Sequence, residues 1–119
     1  MVTLENEFLK VNIRSQGAEM TSVFCKKDSV EYLWQGDPDI WPWHAPNLFP
    51  VVGPWLDGQL KINGASHPIE RHGFTRTSEF EAVETNAAHA KFSLPYSDST
   101  LEAFPYKFEF QILYDLFDS

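Results

Sequence analysis

The residues best equipped for chemistry in this chain are Arg71-His72-Gly73-Phe74-Thr75-Arg76. A neutral histidine offers one ring nitrogen as donor and the other as acceptor, which suits paired hydroxyls, and the glycine behind it lets a ligand approach the backbone closely. Arg71 and Arg76 carry planar forks that suit a carboxylate, a phosphate or adjacent sugar hydroxyls. The same residues also read as a turn histidine with two solvated arginines in surface ion pairs to Glu70 or Glu79. Trp41, Trp43 and Trp55 provide flat apolar faces on which the C–H groups of a sugar pack. They equally suit a plug at one end of a sandwich.

Metal chemistry is not expected. His67, Glu70 and His72 are close in sequence but lack zinc-type spacing, and on a strand His67 and His72 would face opposite ways. No cofactor is implied. Cys25 is the single cysteine, so no internal disulfide can form, and neither it nor His89 is assigned a role. With 9 Lys and Arg against 17 Asp and Glu, and a formal net charge of −8, the chain lacks the basic patch that a nucleic acid requires.

The elements that position these residues are strands. A chain of 119 residues, 43% hydrophobic and 15% aromatic, is long and apolar enough for one folded domain, residues 1–119, and its rings favour sheet over helix. Leu9, Val11 and Ile13 alternate with polar neighbours, predicting a strand over 9–13. Further strands are expected at 20–25, 30–34, 80–83, 88–94 and 106–114. Asn63-Gly64 joins 60–62 to 65–67 as a hairpin through a type I′ turn. A single helical turn over 99–104, capped by Asp98 or Ser99, precedes Pro105. Residues 35–58 form a long proline-spaced loop with three of the four tryptophans, the expected neighbourhood of function. The uncharged stretch 40–56 contains Pro42, Pro46, Pro50 and Pro54 and so is not read as a membrane helix. The N-terminus has no signal-peptide pattern, so a cytoplasmic setting is expected.

Four blocks in order carry a family resemblance: Gly17-Ala18-Glu19-Met20-Thr21-Ser22-Val23, Glu31-Tyr32-Leu33-Trp34-Gln35-Gly36-Asp37, His44 through Gly53 (His-Ala-Pro-Asn-Leu-Phe-Pro-Val-Val-Gly), and Arg71 through Arg76. Together they resemble the N-terminal part of the aldose 1-epimerase, or galactose mutarotase-like, family, in its LacX-like branch. The resemblance implies an all-β fold, an antiparallel β-sandwich forming the front portion of a galactose mutarotase-like supersandwich. It also implies an aldose or sugar phosphate as ligand and interconversion of its α and β anomers. By motif position His72 matches the histidine that holds the sugar, and Arg76 an arginine of the sugar-phosphate-associated branches. Trp43 and Trp55 complete the expected substrate-binding set.

Two positions depart from the pattern. Pro54 and Trp43 stand where relatives commonly carry arginine. The family's acid and base lie downstream of this sequence, so no catalytic residue is assigned. The expected partner is a small-molecule sugar, and an open Phe-rich sheet predicts either a homo-oligomer or the truncated product of a longer gene. A non-catalytic carbohydrate-binding or interaction module is the alternative function, and an incomplete chain without independent activity a third.

Overall fold

The alternation of apolar and polar residues builds two facing sheets in the computed structural model, which describes residues 1–118. β1 (Val2–Glu5), β2 (Leu9–Ile13), β3 (Met20–Cys25) and β4 (Val30–Glu31) pair antiparallel in that order. β5 (Gln59–Ile62) and β6 (Ala65–Pro68) form a separate hairpin. Its turn residues Asn63 and Gly64 have φ of 49° and 81°, the positive values a type I′ turn demands. β7 (Glu81–Thr85), β8 (His89–Pro95) and β9 (Glu109–Asp115) make the third sheet, with β8 central.

Inward residues of the first and third sheets meet in one core. Leu4, Val11, Ile13 and Ala18 pack with Phe80, Ala90, Phe92 and Leu94, all buried. This is the expected all-β sandwich, stabilised chiefly by removing those side chains from water. A smaller core, Val51, Leu60 and Ile69 with Ile62 and Phe104, ties the hairpin to the body. Phe49 links the elements through rings, stacking on Phe110 at 4.6 Å and meeting Phe108 edge-on at 5.4 Å and Phe104 at 5.6 Å.

Beyond shifts of one or two residues at the ends of several elements, the structure differs from the sequence reading in four places. β1 is an additional strand, its Leu4 paired with Val11. β4 stops at Glu31 instead of reaching residue 34, because the Glu31 carboxylate folds back onto its neighbours. It accepts the amides of Val23 at 2.7 Å and Leu33 at 2.9 Å and the Ser22 hydroxyl at 2.5 Å. The helix α1 (Asp98–Ala103) is capped by Ser97, not by Asp98 or Ser99. The Ser97 hydroxyl accepts the Thr100 amide at 3.2 Å while the Thr100 hydroxyl accepts the Ser97 amide at 2.8 Å, a reciprocal box. β9 begins at Glu109 rather than 106, since Tyr106 spends its amide on Phe104 across Pro105. No described helix is long and apolar enough to cross a membrane.

Candidate functional site

Two glycines allow the distant motif blocks to touch. Gly73, at φ 72°, lies against the Phe49 carbonyl and forms a parallel bridge with Phe49. That carbonyl also accepts the Phe74 amide at 3.1 Å and the Thr75 hydroxyl at 2.8 Å. Gly17, at φ 67°, approaches Arg76 so closely that a β-carbon would stand 3.0 Å from the Arg76 carbonyl oxygen. Its amide donates to Ser78 at 2.7 Å. The long loop is tied to the same point by Asn47, whose amide group donates to the carbonyls of Gly17 at 3.0 Å and Ala18 at 3.1 Å.

Glu19, 1% exposed, completes the junction. One carboxylate oxygen accepts the His44 amide at 2.7 Å and the other pairs with the Arg14 guanidinium. A buried charge held this way is compensated on both oxygens.

His72, next to Gly73, lies in the left-handed region, at φ 68°. Its backbone amide donates to the Gly53 carbonyl at 3.1 Å, and the Gly53 amide returns a bond to Nδ1 at 2.8 Å. A neutral ring that accepts at Nδ1 carries its proton on Nε2, so a donor is presented outward. Arg71 Nε–H is directed at that Nε2 from 3.4 Å, but a neutral ring accepts at only one nitrogen, and the shorter Gly53 bond takes that role at Nδ1. Burial, then the charges of Arg76 and Arg71, lower the imidazole pKa below its ordinary value and favour the neutral ring.

All three arginines of an acidic chain therefore gather here. The Arg76 guanidinium lies 4.9 Å from the Trp43 ring centre and that of Arg14 5.6 Å from it. Arg76 also donates to the Arg71 carbonyl at 3.3 Å. Neither Arg71 nor Arg76 forms an ion pair with Glu70, Glu79 or any other carboxylate among the described residues, so the surface-pair reading of these arginines is not what the fold adopts.

Of the four expected ligand residues, His72, Arg76 and Trp43 come together and Trp55 does not join them. Trp55, 46% exposed, instead lines a cavity of about 410 Å3 with Leu56, Asp57, Gln59, Lys61 and Ser66. Arg14, Glu19 and Asn47 were not singled out by the sequence reading, although Glu19 and Asn47 sit inside its motif blocks. A carboxylate embedded between Ala18 and Met20 was the available signal.

Residues 1–119 match the aldose 1-epimerase family along their whole length. The chain belongs to that family. This aldose 1-epimerase family member is 36% identical over 120 residues to protein LacX of Lactococcus lactis subsp. lactis, in both its plasmid and chromosomal forms. The match covers 97% of this chain but 40% of LacX, so the chain spans about two-fifths of the length of the curated relatives it matches.

Among solved structures, a galactose mutarotase-like protein from Lactobacillus casei superposes with a TM-score of 0.96 at 34% identity, covering 99% of this chain and 40% of that one. A galactose mutarotase related enzyme from Lactobacillus acidophilus gives 0.94 at 36%, with 98% and 39% coverage. The epimerase-family sandwich described here is thus the N-terminal portion of a larger galactose mutarotase-like fold.

Proposed function

We propose that the chain binds a hexose or hexose phosphate beside His72 and, when completed by a partner or a further segment, serves interconversion of the α and β anomers. In that reaction a base takes the proton of the anomeric hydroxyl while an acid protonates the ring oxygen. The ring opens, the C1–C2 bond rotates and the ring closes on the other face, with the protons returned. His72 supplies the Nε2–H donor to a sugar hydroxyl. Arg76 adds donors to a neighbouring hydroxyl or phosphate. Trp43 already has two guanidinium groups over its ring and so acts as a positioning residue for Arg76.

The observation that carries this reading is the Gly53 amide to His72 Nδ1 bond, which favours the tautomer with its proton on Nε2, in the neighbourhood of Arg71 and Arg76. The second reading, a binding module without turnover, is favoured by Glu19. This buried carboxylate of the cluster has both oxygens engaged by Arg14 and His44 and is not free to act as a base. Polarimetry and NMR exchange on fresh α-glucose, α-galactose and a hexose 6-phosphate test both readings. Anomer exchange faster than buffer supports the isomerase. Exchange at the buffer rate with saturable binding supports the module, and absence of binding overturns both.

A further inference from the structure

Beyond the cluster at His72, the β5–β6 hairpin carries a second set of ligand-like groups. Gln59 and Lys61 are two residues apart on β5 and share a face, and the register sets Ser66 directly across from Lys61. A 3-10 turn at Leu56–Gly58 leads into β5 and holds Asp57 at φ 56°. These residues, with Trp55 and Leu56, line the cavity of about 410 Å3. That volume falls within the roughly 300–1,000 Å3 of small-molecule sites. Among the described residues, the side chains of Asp57, Gln59, Lys61 and Ser66 make no hydrogen bond or ion pair with protein, so their donors and acceptors are free for a ligand.

We propose that this cavity is a second carbohydrate site that takes a neutral sugar ring independently of His72. The chemistry selects that class. The half-exposed indole of Trp55 and the side chain of Leu56 offer an apolar surface to the C–H face of a pyranose. Around it stand a carboxylate, a carboxamide, an ammonium and a hydroxyl, which together give and receive hydrogen bonds from several hydroxyls at once. Asp57 disfavours an anion such as a sugar phosphate and Lys61 a cation. A purely apolar ligand would leave four polar groups without partners. Trp55 and Leu56 lie outside both buried cores of the described residues.

A backbone-amide NMR titration of the full chain with methyl β-galactoside tests this, because its locked anomeric carbon cannot ring-open. The amides of Gln59, Lys61 and Ser66 should shift and saturate together. Trp55→Ala should weaken that curve at least tenfold, and His72→Ala should leave it within twofold. If circular dichroism shows Trp55→Ala unfolded, Asp57→Asn serves instead, since asparagine tolerates the left-handed φ, and should weaken the curve at least threefold. Silent amides, an unchanged curve in the Trp55 or Asp57 variant, or a tenfold loss in His72→Ala, which would make the two places one continuous site, each overturn the proposal. Binding at His72 has its own reporters in the Gly53 and Gly73 amides, so the two sites stand or fall separately.

Discussion

Gly73 sits so tightly against the Phe49 carbonyl that a β-carbon on it would overlap that group. Its φ of 72° adds a second reason for glycine, since an L side chain is disfavoured there by about 1–2 kcal/mol. Gly73→Ala should therefore destabilise the fold by roughly 2–4 kcal/mol in urea denaturation, with the loss shared between strain and displacement of the Phe49 carbonyl. A loss below about 1 kcal/mol would mean that the two loops separate easily.

Glu19→Ala should be comparably damaging, by about 2–4 kcal/mol, because it strands the Arg14 charge and leaves the His44 amide without its acceptor. Glu19→Gln keeps an acceptor for His44 and should lose distinctly less. Equal losses in the two variants, measured by thermal and denaturant unfolding, would assign the effect to charge alone.

His72→Ala should weaken sugar binding by about 1–3 kcal/mol, the usual consequence of removing one partner from a hydrogen bond. Calorimetry with the tightest-binding sugar of the anomerisation screen is the check, and unchanged affinity would make His72 a purely structural turn residue.

The pH dependence has a definite sign. Burial and the two arginines depress the His72 pKa, so between that lowered value and the ordinary 6.5 the unfolded chain binds more protons than the folded one. Stability contributed there is complete above the ordinary value and is lost as pH falls through the folded one. Glu31 acts in the same direction at lower pH. Burial raises its pKa, but the bonds from Ser22, Leu33 and Val23 outweigh that and hold it below the usual carboxylate value. Its contribution is present above the unfolded value and disappears on acidification. An imidazole resonance of His72 that titrates at or above the ordinary histidine value would contradict the arrangement.

Self-association is the last expected outcome. β9 is an edge strand of its sheet, and Leu113 on it is 54% exposed. Edges of this kind pair with one another. Sedimentation should find a concentration-dependent dimer that Leu113→Lys shifts towards monomer. A monomer at all concentrations would remove the homo-oligomer from consideration.

What the sequence made legible was local. The alternation of Leu9, Val11 and Ile13, and the Asn63-Gly64 turn, each act within a few residues, so pattern alone locates them. β1 is not legible in the sequence because only Val2 and Leu4 mark it, too short a period to stand out. The candidate site was half legible. Residue type grouped Trp43 with Trp55, but their separation is decided by which segment each joins, Trp43 beneath Arg76 and Trp55 ahead of the 3-10 turn that leads into β5. The contribution of Arg14 was invisible because its partners, Glu19 and Trp43, become neighbours only through sheet pairing and the Asn47 clasp.

Asn47 has one more partner. Its side chain reaches the Tyr114 hydroxyl at 3.4 Å, and that hydroxyl donates to the Ala18 carbonyl at 2.8 Å. Ala18, Asn47 and Tyr114 of β9 thus close a single ring of hydrogen bonds. During synthesis, a ribosome must have released Tyr114 before its hydroxyl can reach the Ala18 carbonyl, whereas Asn47 can meet the Gly17 and Ala18 carbonyls without it. A nascent chain arrested before β9 would carry the Asn47 clasp without the Tyr114 hydroxyl that seals it.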